Sequence, residues 1–251
     1  MWQIPGRFPE LTTGSIHIWR ASLRLEEIVL QRLARHLSAA ETVRARRFVF
    51  EADQKSFAAS HGILRHLLSQ YLQCSPQEIQ FVCGPYGKPV ISQPSPSIGL
   101  EFNLSHSNGV VVIGISRERE LGVDVEKIRP EFASDEIARR YFSSTEVEDL
   151  TRIPPDLRSE AFFRCWTQKE AYVKALGEGL RFPLDSFSVS LTPGEPPYLR
   201  AADEARWKIL SFIAWNDAEA NYMGAIVARG KDWVPEYFEW RNDDADTIPD
   251  H

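Results

Sequence analysis

The side chains best suited to chemistry sit in two stretches about forty residues apart. The first is Gly122-Val123-Asp124-Val125-Glu126. In a strand successive side chains alternate, so Asp124 and Glu126 share one face while Val123 and Val125 anchor the other. Two adjacent carboxylates repel unless something cationic joins them. A hard cation such as Mg²⁺ takes a few carboxylate oxygens and completes its shell with water and phosphate. The plainer alternative is a solvated strand face, or a salt bridge to Lys127 or Arg129. The second stretch is Trp166-Thr167-Gln168-Lys169-Glu170-Ala171-Tyr172-Val173-Lys174-Ala175-Leu176-Gly177-Glu178-Gly179. Read as a helix, it places Glu170 and Lys174 one turn apart on a single face, and its glycines can end it. That face offers one carboxylate and one ammonium to the same small volume. The same order of charges is also favoured on solvated helices, where it contributes only about 0.3 to 0.5 kcal/mol.

A third polar cluster, Phe102-Asn103-Leu104-Ser105-His106-Ser107, closes a strand beside a glycine-containing turn. Ser105 and His106 can hold a phosphate oxygen through hydroxyl, imidazole and backbone N–H groups. A Ser-His nucleophile pair is disfavoured, because adjacent strand residues point to opposite faces. Lys88, Arg44 and Arg47 add cations that only the fold can bring to the same place.

Several elements must position these groups. Ile16 to Trp19 alternates like a strand, and Leu23 to Leu37 has apolar residues at helical spacing. Ser38-Ala39-Ala40-Glu41 is a capping box opening a helix with the cluster Arg44-Ala45-Arg46-Arg47. A long helix is expected from Asp53 to Leu72, with His61 and His66 read as structural or surface histidines. Gly84-Pro85-Tyr86-Gly87 marks a hairpin that presents Lys88. Leu100 to Ser105, Val110 to Ile115 and Leu121 to Glu126 read as an antiparallel meander. Two short helices follow, near Ser134 to Arg140 and after Ser143, then the long helix around Trp166. Strands are expected at Phe187 to Ser190, Trp207 to Phe212 and Tyr222 to Val227. From Lys231 the chain reads as a partly docked, then frayed tail. Ala45-Arg46-Arg47-Phe48 and Ala138-Arg139-Arg140-Tyr141 each precede a long helix and a strand-rich stretch, which suggests two similar halves of about 110 residues with a ligand cleft between them.

Composition limits the function classes. The chain has 251 residues, 43% hydrophobic and 25% charged, enough for one large domain or two small ones. Its longest apolar run, Val110 to Ile115, is too short to cross a bilayer. The N-terminus lacks a secretory pattern, so no membrane association and a cytoplasmic location are expected. Cys74, Cys83 and Cys165 are too few and too scattered for a disulfide framework or a Cys-x-x-Cys metal site. A net charge of −6 argues against a nucleic-acid binder, so an anionic ligand needs a local basic pocket.

Gly122-Val123-Asp124-Val125-Glu126 followed by Trp166-Thr167-Gln168-Lys169-Glu170-Ala171-Tyr172-Val173-Lys174 resembles the paired signature of the 4′-phosphopantetheinyl transferases. Tyr86-Gly87-Lys88-Pro89 and Asn103-Leu104-Ser105-His106-Ser107 are similar to the larger, surfactin-synthetase-activating class. The resemblance spans about Ser38 to Leu191. It implies an α+β fold of two similar pseudo-twofold-related subdomains, each an antiparallel sheet with a long packed helix, at 1–118 and 119–251. It implies transfer of the phosphopantetheine arm of coenzyme A to a serine of an apo acyl or peptidyl carrier protein, with 3′,5′-adenosine diphosphate released.

By that resemblance Asp124, Glu126 and Glu170 hold Mg²⁺, which grips the diphosphate of coenzyme A, and Glu170 is the candidate general base. Lys174 and Lys169 neutralise diphosphate charge. His106, Ser105, Lys88, Arg44 and Arg47 hold the 3′-phosphate and diphosphate, and the Gly87-Lys88-Pro89 loop lies against adenine. The family usually carries an arginine shortly after the Asp53 position, where this chain has Lys55 and Ser56. Arg129, Phe132, Arg139 and Arg140 are candidates for carrier docking, and a monomer is expected. A metal-dependent phosphohydrolase and a non-catalytic coenzyme A or carrier-binding module are the alternatives.

Overall fold

The computed structural model describes residues 1–84, 86–94, 99–179, 182–216 and 221–242. Pro85 of the hairpin turn and the acidic tail from Asp243 lie outside them. The chain opens with β1 (Ser15–Ser22), α1 (Glu27–Ala34), α2 (Ala39–Ala45) and α3 (Glu51–Leu72). The capping box before α2 forms as expected: Glu41 N–H donates to Ser38 Oγ, and Ser38 N–H donates to Glu41 Oε2. The same Glu41 oxygen accepts from Arg65 Nε at 2.6 Å, tying α2 to α3. Close packing of α1 on α3 depends on Gly62, where a β-carbon would collide with Leu33. The helix expected over Leu23 to Leu37 is shorter than its apolar spacing suggested.

The hairpin β2 (Gln80–Cys83) and β3 (Pro89–Gln93) comes next, then β4 (Leu100–Ser107) and β5 (Val110–Arg117). Asn108 and Gly109, at φ +45° and +90°, make the tight turn between β4 and β5. After β6 (Leu121–Lys127) come α4 (Asp135–Tyr141), α5 (Ser144–Arg152) and α6 (Arg158–Leu176). The rest is β7 (Ser188–Val189), β8 (Leu199–Arg200), β9 (Trp207–Asn216), β10 (Asn221–Arg229) and β11 (Val234–Glu239).

Two sheets organise the molecule, in the orders β11-β1-β5-β4 and β6-β10-β9. Pairing is antiparallel throughout except for β1 with β11. This corrects the meander expectation, because β6 leaves the sheet of β4 and β5 and pairs with β10 instead. The docked part of the tail takes the form of a strand: β11 returns to β1, and Trp233, Phe238 and Trp240 are buried, while the end expected to fray lies outside the described residues.

Alternation along β1 and β5 sorts their side chains into two cores. Trp19, Val111, Ile113 and Ile115 pack with Leu64, Leu67 and Leu68 of α3. Ile16, Ile18, Val110 and Val112 face Val123, Val125 and Ile226 of the second sheet. On the far side, Phe162, Tyr172 and Val173 of α6 pack on Met223, Ala225 and Val227. The layers therefore run helix, sheet, sheet, helix. The run Val110 to Ile115 is buried on both faces, where each such side chain stabilises by about 1.5 to 3 kcal/mol. The two halves share one connectivity: β1, α3, β4, β5 in the first and β6, α6, β9, β10 in the second, with the last strand of each set central among the three. This is the α+β arrangement of paired subdomains expected from the sequence.

Candidate active site

The site forms where β6 lies against α6. Gly122 makes the approach possible, because a β-carbon there would run into the backbone of Ala171, Lys174 and Ala175. The strand thus rests directly on the helix, and Asp124 comes within reach of Lys174. Lys174 Nζ donates to Asp124 Oδ1 at 2.7 Å and to Ser105 Oγ at 2.9 Å, and Ser105 Oγ donates to the same Asp124 oxygen at 2.8 Å. Asp124 is 3% exposed, and its second oxygen, Oδ2, is buried without a hydrogen-bond partner. A buried carboxylate oxygen left unpaired is costly, so this oxygen is open to a partner such as a water or a cation.

Edge strand β4 meets edge strand β6 through side chains. Asn103 Oδ1 accepts the Val123 N–H at 2.9 Å, and Ser107 Oγ donates to Glu126 Oε2 at 2.7 Å. Glu126 and Glu170 are half-buried, and both titrate above the ordinary carboxylate range. Burial is the main cause for each. The Asp124 charge adds to it in both cases, and Glu126 acts likewise on Glu170. Lys174 pulls both the other way. The three carboxylates thus feel one another, as acids must that share a small volume. Among the described residues no three carboxylate, imidazole or thiol groups already converge as a metal cage. The oxygen chemistry and the orphaned Asp124 Oδ2 nonetheless suit a hard cation drawing in Asp124, Glu126 and Glu170.

Other candidate residues fall in different places. His106 is near enough to Lys174 and Asp53 to feel both charges, and its pKa is lowered, mainly by burial and then by Lys174. His61, at about 4, is lowered by burial and senses Glu41, Arg44 and His106. Its ring stacks on Phe57, over which the Arg44 guanidinium sits at 5.2 Å. Arg44 and Arg47 are both exposed, and Arg44 joins the His106 neighbourhood through Phe57 and His61 of α3. Lys88 Nζ donates to Leu121 O at 2.8 Å and Ala175 O at 3.4 Å, which stitches the β2–β3 hairpin to the start of β6 and the end of α6. Lys55 is engaged with Glu51 and Glu27 on the surface.

Lys169 does not reach the cluster. Its ammonium is buried and donates to Leu184 O and Phe187 O, both at 2.7 Å, while pairing with Glu146 at 2.7 Å. All three N–H groups are used, so none is left for a phosphate. Among the candidate docking residues, Arg129 stacks on exposed Phe132, and Arg140 on Tyr141. Arg140 also lines a groove of about 610 Å³ with Tyr141, Trp166, Glu170, Val173 and Lys174.

Sequence reasoning did not single out Gly122, Asn103 or Ser107 for a role. The alternation Asn103, Ser105, Ser107 was the available signal, since three polar side chains on one face of a strand need acceptors or donors opposite.

Known proteins resemble the chain along most of its length. Residues 120–227 match the 4′-phosphopantetheinyl transferase superfamily, and residues 19–118 match the 4′-phosphopantetheinyl transferase N-terminal family. The 4′-phosphopantetheinyl transferase HetI of Nostoc sp. strain PCC 7120 is 36% identical over 234 residues, covering 92% of this chain and 96% of that protein. The 4′-phosphopantetheinyl transferase Sfp of Bacillus subtilis strain 168 is 34% identical over 161 residues, covering 64% of this chain and 69% of its own. Among solved structures, Thermotoga maritima holo-[acyl-carrier-protein] synthase aligns at a TM-score of 0.34 and 23% identity, over 45% of this chain and 63% of that one.

Proposed function

Since the chain belongs to the 4′-phosphopantetheinyl transferase superfamily, we propose that the cluster around Asp124 is where coenzyme A gives up its phosphopantetheine arm to a carrier-protein serine. The observation that carries this reading is the asymmetry of Asp124, with one oxygen held by Ser105 and Lys174 and the other buried and open. Asp124, Glu126 and Glu170 are the residues that would hold Mg²⁺, which when bound would neutralise diphosphate charge in the transferring state.

The chain's own residues divide the remaining work. Lys174 has an N–H to spare beyond Ser105 and Asp124, and it stabilises charge growing on the leaving phosphate. Glu170, made more basic by burial and its acidic neighbours, takes the proton of the attacking serine hydroxyl. On the other side of Lys174, His106, Ser105 and Arg44 receive the 3′-phosphate and diphosphate. The groove along Trp166 and Val173 opens from Glu170 and Lys174 and takes the arm. Lys88 supports the adenine side by holding its hairpin against β6 and α6. Arg129, Phe132, Arg139 and Arg140 present basic and apolar surface to an acidic carrier.

Both halves of the site come from one chain, which supports a monomer, and we set the boundary between the halves at 118/119. No helix among the described residues is long and apolar enough to cross a membrane. We place the enzyme in the cytoplasm, without a nucleic-acid partner.

The test is to incubate the protein with coenzyme A, Mg²⁺ and an apo carrier protein and to weigh the intact carrier. A gain of one phosphopantetheine is expected. Hydrolysis of coenzyme A with the carrier unchanged would instead make the same carboxylates those of a phosphohydrolase.

A further inference from the structure

We propose that Ser107 is a positioning residue for Glu126, and that through it the first half of the chain sets the geometry of a ligand carried by the second. The inference rests on reading Asp124, Glu126 and Glu170 as the divalent-cation site. Ser107 is buried at the end of β4, and its Oγ lies 2.7 Å from Glu126 Oε2. The direction of its proton is set by a third group. Lys127 N–H donates to the same Oγ at 3.3 Å, so one lone pair is occupied and the hydroxyl proton turns toward the carboxylate. Asn108 Oδ1, at 3.5 Å, is the weaker competitor. The result is a relay from Lys127 N–H through the Ser107 hydroxyl to Glu126.

Its anchor is independent of the carboxylates. Ser107 adjoins the tight turn at Asn108 and Gly109, and Tyr222 of β10 donates its hydroxyl proton to Asn108 O at 2.9 Å. Tyr222 is itself paired with Lys127 across the second sheet. Both ends of the relay are therefore tied to the same point of the β6–β10 ladder. The relay holds one Glu126 oxygen, and among the described residues the other makes no hydrogen bond. A carboxylate fixed by one oxygen presents the other at a set angle, which is how groups behind metal ligands tune affinity, commonly by about 10- to 100-fold. Ser105 does the same for Asp124 but also touches Lys174. Ser107 touches no other candidate ligand, so its effect passes through Glu126.

The experiment measures Mn²⁺ binding by electron paramagnetic resonance to protein saturated with coenzyme A, without carrier, for wild type, Ser107→Ala, Ser107→Cys and Ser107→Thr. Ser107→Ala is expected to weaken Mn²⁺ about 10-fold and to raise the Mg²⁺ needed for half-maximal transfer by the same factor. The KM for coenzyme A at saturating metal should move less than about twofold, the size of effect expected when uniform substrate binding is untouched. Ser107→Thr, which keeps the hydroxyl, should bind as wild type does. Ser107→Cys, a similar volume with a weak donor, should fall between, and it decides the matter if the alanine variant does not fold. Wild-type Mn²⁺ affinity in both Ser107→Ala and Ser107→Cys overturns the role of Ser107 alone. If wild type binds no Mn²⁺ and transfers without a divalent ion, the cation reading fails and takes this inference with it.

Discussion

Two lysines on α6, Lys169 and Lys174, each end 2.7 Å from a carboxylate oxygen, and they do opposite things. The Lys169–Glu146 pair is closed. Lys169 spends its remaining N–H groups on two carbonyls, while Glu146 takes N–H donors from Ser143 and Val189 as well. Both side chains are essentially without solvent exposure, and among the described residues neither keeps a buried polar atom without a partner. The Lys174–Asp124 pair is open, with an N–H free on one partner and an unpartnered oxygen on the other. A satisfied buried pair specifies packing, whereas an unsatisfied one at the mouth of a groove is poised for a ligand. Distance and the pairing of an ammonium with a carboxylate are the same in both; unfilled hydrogen-bonding capacity separates them.

The comparison breaks most sharply on activity. Lys174→Met and Glu170→Gln are expected to lower kcat by about 10²- to 10³-fold, the usual loss of a charge-stabilising group, in protein that still folds. Glu170→Gln should cost no stability, whereas Lys174→Met also leaves buried Asp124 without its ammonium and should lower the melting temperature. Turnover near wild type in carrier-mass assays would remove either residue from the chemistry. Gly122→Ala comes next. The added methyl must push β6 off α6, so transfer should drop at least tenfold while the protein loses stability, at about 1 to 3 kcal/mol for overpacking; steady-state kinetics and thermal unfolding together check this.

Lys169→Met sharpens the contrast from the other side. It leaves Glu146 charged and buried, an arrangement that costs about 3 to 5 kcal/mol, so calorimetry should show a melting temperature lower by roughly 10 °C. Adding Glu146→Leu should recover much of that loss. If Lys169→Met instead kept the wild-type melting temperature and lost only coenzyme A affinity, the closed pair would have to be redrawn as part of the binding site.

The smallest effect concerns pH. Burial and then the neighbouring carboxylates raise the pKa of Glu126 and Glu170. The folded protein therefore holds those protons more tightly than the unfolded chain does. Their contribution favours folding at low pH and is lost as pH rises through the raised folded values. Glu126→Gln and Glu170→Gln should thus raise the melting temperature of metal-free protein by about 2 °C at mildly alkaline pH. The gain should shrink as pH falls through the raised carboxylate values. Scanning calorimetry across pH reads this directly, and a gain independent of pH would rule out charge repulsion as its cause.

Much of the fold was legible because the local signals were strong. The capping boxes at Ser38 and Ser143, the Asn108-Gly109 turn and the apolar spacing of α3 each have a short-range cause. The partner of β6 was not legible. Its alternation is the same whether it pairs with β5 or β10, and the choice rests on contacts with residues distant in the chain, among them the close approach of Gly122 to α6. Likewise β11 lies far along the chain from its partner β1, and nothing local announces a pairing across that distance.

Helix α6 and strand β6 show where the division falls. Helical spacing alone put Glu170 and Lys174 on one face, and strand alternation put Asp124 beside Glu126, because these are periodicities of a single element. Whether either pair is a solvated surface or a site depends on what stands opposite. The tertiary structure decided that: it buried Asp124 against Ser105 and Lys174, left Oδ2 open, and turned Lys169 into the interior against Glu146. The reason is physical. Hydrogen-bonding capacity is filled or left open by groups distant in the chain, and the order of residues does not contain that result until the layers pack.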